Sequence, residues 1–147
     1  MQTTIAIIMT NVLGGGTVRH AKEMVKAWSV QGNRVLYIIT ADRVTHISVF
    51  QNGQLMQMYQ LWNDKNAEQL LGILQKYNVQ LLHIEHLLDA PSGILNLHKF
   101  LNIPLVITLH DYYMVCPFIK LTNESDEYCE EMGECECQAC LARRNMY

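Results

Sequence analysis

The fold is decided by Ile5-Ala6-Ile7-Ile8-Met9, an apolar run that gives way at Asn11, before Gly14-Gly15-Gly16, to a segment carrying Val18, Ala21, Val25 and Trp28. Five apolar residues in a row fit a parallel strand buried on both faces, since a half-buried strand would alternate apolar with polar positions. After the glycines the apolar positions recur at three and four residues, the spacing of one helix face. Thr17 offers an N-cap and Gly32 a C-terminal stop. The chain therefore opens as strand, glycine loop and helix.

Outward from this unit the same alternation continues. Residues 35–39 read as a second strand. Asn52-Gly53 lies between the strand-like stretches 44–50 and 55–59, the strongest short-range signal for a hairpin. Asn63 or Asp64 can cap a helix whose face is Ala67, Leu70, Leu71, Leu74 and Tyr77, ended by Asn78. Residues 81–84 return as strand. Pro91 suits the first turn of a third helix with Ile94, Leu97 and Leu101 on one side, and Ile103-Pro104 leads into the apolar run 105–109. Strands separated by helices of this length need crossover connections, so the expected architecture is α/β: a doubly wound, mostly parallel sheet with an inserted β-hairpin.

At 147 residues, half of them apolar, the chain is expected to fold as one soluble domain with a core that needs no disulfide staple. No apolar run is long enough for a transmembrane segment, and no basic region precedes the first apolar stretch, so a cytoplasmic protein is expected. Charge is uneven. Residues 1–123 carry nine Lys/Arg against seven Asp/Glu, whereas 124–147 carry two against seven and hold four of the five cysteines. The expected organisation is an α/β body over 1–123 and an acidic, Cys-rich, irregular tail over 124–147. The absence of a basic stripe with interleaved aromatics argues against nucleic acid as a partner.

In a doubly wound sheet, ligands bind beyond the carboxyl ends of the strands. That rule singles out residues 11–17, 85–90 and 110 onward, each expected to follow a central strand. Gly14, Gly15 and Gly16 let backbone N–H groups approach a phosphate, with the positive end of the following helix behind them. No Gly-Lys-Ser/Thr follows, and Arg19 stands where a dinucleotide fingerprint has its third small residue. His110 and Asp111 directly follow an apolar run, where an imidazole can meet a substrate oxygen. Glu85 and His86 form a second polar pair able to act as a base or bind hydroxyls. His83 is read as packed in the sheet, and His20, His46 and His98 as structural residues. Cys116, Cys129, Cys137 and Cys140 could give four thiolates to a structural zinc; reduced thiols and a disulfide are the other readings. Cys135 is an additional thiol.

Three stretches taken together resemble the N-terminal, acceptor-side domain of a GT-B-fold, family 4-type retaining glycosyltransferase. They are Gly15-Gly16-Thr17-Val18-Arg19-His20, Leu82-His83-Ile84-Glu85-His86, and the run from Ile103 through Thr108-Leu109-His110-Asp111-Tyr112 to Cys116-Pro117. The last, followed by Cys129, Cys137 and Cys140-Leu141, is similar to a bacterial subgroup of these enzymes. Glu85 stands where the family pattern commonly has His. The resemblance implies a Rossmann-like domain in which Gly15 and Gly16 lie beside the donor diphosphate. It also implies that His110 contacts the transferred sugar and that Glu85 and His86 face the acceptor. The partners it implies are a nucleotide-sugar donor and a glycan, lipid or small-molecule acceptor, with no cofactor required. A C-terminal donor-binding domain is absent from these residues. The chain alone is accordingly expected to be inactive, completed by that domain in cis or in trans, and prone to self-association through its exposed cleft. The resemblance also allows a location at the inner face of the membrane. The alternative is a non-catalytic module that binds a nucleotide or phosphate ligand and carries a metal-binding tail.

Overall fold

The structure is a computed structural model that describes residues 2–10, 15–41, 43–62, 67–87, 90–112, 115–116, 120–123, 127–129, 137–138 and 140. The chain divides into two compact units, Met1–Thr108 and Leu109–Tyr147. The first is a six-stranded Rossmann-like α/β unit with strands β1 (Thr4–Thr10), β2 (Arg34–Ala41), β3 (Val44–Gln51), β4 (Gln54–Trp62), β5 (Leu81–Ile84) and β6 (Leu105–Ile107). Helix α1 (Gly16–Val30) joins β1 to β2, and α2 (Glu68–Lys76) precedes β5. A 3-10 helix (Ser92–Asn96) runs directly into the short α3 (Leu97–Leu101) before β6. Among the described residues no helix is long and apolar enough to cross a membrane.

Strand order is β4-β3-β2-β1-β5-β6. β1 is parallel to both β2 and β5, and all seven of its residues are buried, which is why its sequence is apolar without alternation. Ile5, Ile7 and Met9 face α1 and share one cluster with its Ala21 and Val25 and with Val35 and Tyr37 of β2. Ala6 and Ile8 point to the opposite face of the sheet and are equally inaccessible. Truncating Ile8, which is 0% exposed, to alanine should therefore destabilise the chain by about 2–5 kcal/mol. Urea unfolding checks this; an unchanged midpoint would contradict the placement of β1 at the centre of the sheet.

The hairpin forms as its turn chemistry requires. Asn52 and Gly53 both adopt positive φ (51° and 73°), the backbone of a tight primed turn, and β3 and β4 extend the sheet in antiparallel fashion. α2 is tied to this extension by the Tyr59 and Tyr77 hydroxyls, 2.7 Å apart. Burial first, and then this bond, push Tyr77 up to about 12.

Several boundaries differ from the sequence reading. α1 begins at Gly16 rather than after a Thr17 cap; its cap residue is Gly15, with no side-chain cap bond. α2 follows Ala67, which takes a left-handed conformation in place of joining the helix, while Asn63 and Asp64 lie outside the described residues. The third helix divides into the 3-10 turn and α3, each of five residues. β6 is only three residues long and lies at the sheet edge, leaving Val106 and Ile107 partly exposed. The largely apolar stretch 105–109 gave no means of telling a central from an edge strand, because periodicity reports burial on the faces and not neighbours in the ladder.

The second unit is irregular where described. Tyr112 accepts from the backbone N–H groups of Val115 and Cys116, and Thr122 bridges Tyr128 with bonds from Asn123 to Glu127 and from Cys129 to Leu121. Cys116 is buried, and Cys129, Cys137 and Cys140 are half-buried. Cys135 lies outside the described residues.

Candidate functional site

Because β1 and β5 are parallel neighbours, their carboxyl ends lie side by side at the same end of the strands, and their ladder runs on past the end of β5. The Glu85 N–H donates to the Ile8 carbonyl at 2.8 Å, and the Thr10 N–H donates to the His86 carbonyl at 3.1 Å. These bonds fix the backbone of Glu85 and His86 against the end of β1. The His86 Nδ1 then lies 3.2 Å from the Thr10 hydroxyl, with both residues buried.

Glu85 is the centre of a larger arrangement. Its side chain is 0% exposed, with Oε2 3.1 Å from His20 Nδ1 on α1 and Oε1 3.3 Å from His83 Nε2 on β5. His83 Nε2 is in turn 2.7 Å from the Thr108 hydroxyl, and its ring packs against Trp28 with centroids 5.7 Å apart. On the neighbouring β2, Tyr37 donates to Met9 Sδ at 2.9 Å. Burial, with the Glu85 charge as the smaller cause, pushes the Tyr37 phenol up from its ordinary value. A carboxyl removed from water costs several kcal/mol unless partners compensate, so a chain of polar groups gathered at the ends of β5, β6 and α1 is a feature that folding alone does not favour.

The glycine loop lies at the start of α1. Gly15 has φ 93° and ψ -172°, a region in which a side chain is strained, and its carbonyl accepts the first helical bond, from Arg19 at 3.3 Å. Gly16 is different. Its backbone is helical, and a Cβ built there would meet nothing within 4 Å. Neither backbone conformation nor local packing calls for glycine at this position. Beside the loop, Gly15, Val18, Arg19, Lys22, Glu23 and Lys26 line an open depression of about 370 Å³. Arg19 and Glu23 pair at 2.9 Å across one helical turn, both largely exposed.

Of the residues expected from sequence, Gly15 and Gly16 open α1, and Glu85 and His86 close β5 with their side chains buried. Gly14 lies outside the described residues, and His110 and Asp111 begin the second unit, both half-buried. Sequence reasoning missed His20, Thr108 and Tyr37, and treated His83 only as sheet packing. His20 lies four residues after Gly16, hence one turn along the same face of α1; that spacing is the signal that could have found it.

Comparison with known proteins bears on the whole arrangement. No curated protein matches the chain. Among solved structures it is similar to a Bacteroides thetaiotaomicron protein of unknown function with an actin-like ATPase fold. The two are 20% identical with a TM-score of 0.43, over 63% of this chain and 39% of that one. The chain thus spans well under half the length of that protein, and a likeness of this size carries no argument here. The model of Glycosyltransferase Family 4 matches residues 14–127. That span runs from the glycine loop through α1, the β5 end with its buried carboxylate and on into the second unit, so the chain belongs to glycosyltransferase family 4.

Proposed function

We propose that this chain is the acceptor-side half of a retaining glycosyltransferase that moves a sugar from a nucleotide-sugar donor to a hydroxyl of a glycan, lipid or small molecule, at the cytoplasmic side of the cell. Gly16 is the observation that carries the reading. A residue that neither its backbone nor its surroundings require to be glycine, on the positive first turn of a helix, leaves room for an anion to approach the main chain. The donor diphosphate is that anion in a family 4 transferase. In this account Gly14, Gly15 and Gly16 lie beside the diphosphate, His110 and Asp111 meet the transferred sugar, and Glu85 and His86 serve the acceptor side.

The remaining donor contacts and the electrostatic stabilisation of the departing diphosphate come from a second domain, in cis or in trans, without which the chain does not turn over. The reaction requires no cofactor. Zinc held by Cys116, Cys129, Cys137 and Cys140 would be a structural accessory of the second unit. The test of the reaction type is the anomeric configuration of the product, followed by proton NMR with the complete enzyme and the nucleotide sugar it uses. The reading expects the donor configuration to be kept; inversion would contradict it.

A further inference from the structure

We propose that β4 is an interface at which two copies of this chain join antiparallel, about a two-fold axis at Gln60, into one continuous sheet. The inference is independent of the transferase reading, and its surface differs from the cleft through which self-association is expected from sequence. β4 ends the strand order β4-β3-β2-β1-β5-β6, so pairing there adds strands on the side away from β1 and β5.

β4 is nine residues long, the longest strand of the sheet, and among the described residues no strand pairs with its outer side. Such an edge presents a row of main-chain N–H and C=O groups, which proteins ordinarily shield with Lys, with Pro or by keeping the strand short. The opposite edge, β6, is short at three residues. β4 has none of these protections: it reads Gln-Leu-Met-Gln-Met-Tyr-Gln-Leu-Trp, without a charge or a proline. Its bulge, which leaves Met56 out of the β3 register, lies next to the turn, so residues 57–62 form a regular ladder.

Main-chain groups in this array accept another strand, and three observations make that strand a second β4. The first is exposure. Met58 and Trp62 are 61% and 67% exposed, and with Gln60 they lie on the face where β3 offers Ser48, His46 and Val44, not its buried Thr45, Ile47 and Val49. The second is register. Antiparallel pairing about Gln60 opposes residues 58 and 62 twice, setting each Met58 thioether against the Trp62 ring of the other copy, with Tyr59 against Leu61 on the other face. The two Gln60 amides meet at the axis, where each can donate to the carbonyl of the other. The third is charge. The chain carries -3 overall, yet β4 carries none of it, so the copies meet with no like charges opposed. Two indoles of about 150–250 Å² each, the methionines and the paired main chain together bury on the order of 1,000 Å², the least a specific interface needs.

Sedimentation velocity of the chain, from about 1 to 500 μM, should show the mass rise from 16.9 kDa to twice that value, with a dissociation constant on the order of 10 μM. Deuterium exchange of the β4 amides should slow over the same range. Gln60→Lys and Gln60→Glu, at an exposed position, should each keep the circular-dichroism melt and weaken the dimer about tenfold, because like charges then meet at the axis. An equimolar mixture of the two variants should pair at least as tightly as wild type. A chain that stays monomeric throughout overturns the proposal, as does a dimer that neither variant weakens. β4 amides protected equally at every concentration would also overturn it, since another segment of the same chain would then cover the edge. Two weakened variants that fail to pair with each other would overturn the axis at Gln60.

Discussion

Replacing Gly16 with alanine should leave the chain folded, slightly more stable, and about 100-fold slower in sugar transfer when assembled into the complete enzyme. The stability half of this result follows from helix physics. Gly16 has helical backbone and open space around its missing Cβ, so alanine adds no clash and removes some of the freedom lost on folding, a gain of about 0.5–1 kcal/mol. The catalytic half follows from reach. On the proposed reading, a methyl group on the first turn of α1 would hold the donor diphosphate off the backbone amides, and a misplacement of about 1 Å costs on the order of 10²-fold in rate. Gly15→Ala should behave differently, because φ 93° strains any side chain by about 1–3 kcal/mol and the melt falls together with the activity. A Gly16→Ala enzyme with unchanged donor KM and turnover would remove the glycine loop from the donor site.

His110→Ala should lower turnover of the complete enzyme by about 10²- to 10³-fold, the usual loss when one donor to developing charge is deleted. His110 is half-buried at the start of the second unit and belongs to no strand or helix, so alanine removes the imidazole without opening the sheet. On the proposed reading the loss should fall on kcat, since the contact it gives His110 with the sugar near its reacting carbon would strengthen as the bond to the diphosphate breaks. Wild-type turnover in a folded His110→Ala enzyme would take this histidine out of the mechanism.

Local chemistry made much of the fold legible. The unalternating β1 announced a strand buried on both faces, Gly32 stopped α1 at φ 89°, and Asn52-Gly53 fixed the hairpin turn. Each of these depends on a few adjacent residues. What the sequence concealed depends on neighbours brought together by the sheet. The apolar run after Pro104 resembles that of β1, yet β6 is a three-residue edge strand, because its place in the ladder is set by strand order and not by its own composition.

The site was legible to the same extent. Its loops could be located from the rule that ligands collect at strand ends, and Glu85 was picked out as a polar residue in one of them. Its partner could not be. His20 and Glu85 are 65 residues apart, and His20 carries no mark in its own helix except its spacing from Gly16. Pairing appears once β1 and β5 align in parallel and α1 covers the face on which Ile7 and His83 are partners. The glycine loop, by contrast, is a backbone feature, and backbone features are written in the residue types that permit them.

The central claim is that this chain provides the acceptor side of a sugar transfer whose donor side lies in another domain. The most direct measurement is nucleoside diphosphate release from a panel of nucleotide sugars, made with the chain alone and with the complete enzyme. The account predicts no release above background from the chain alone and acceptor-dependent release from the complete enzyme. Acceptor-dependent release by the chain alone, or none by the complete enzyme with any donor, would contradict it.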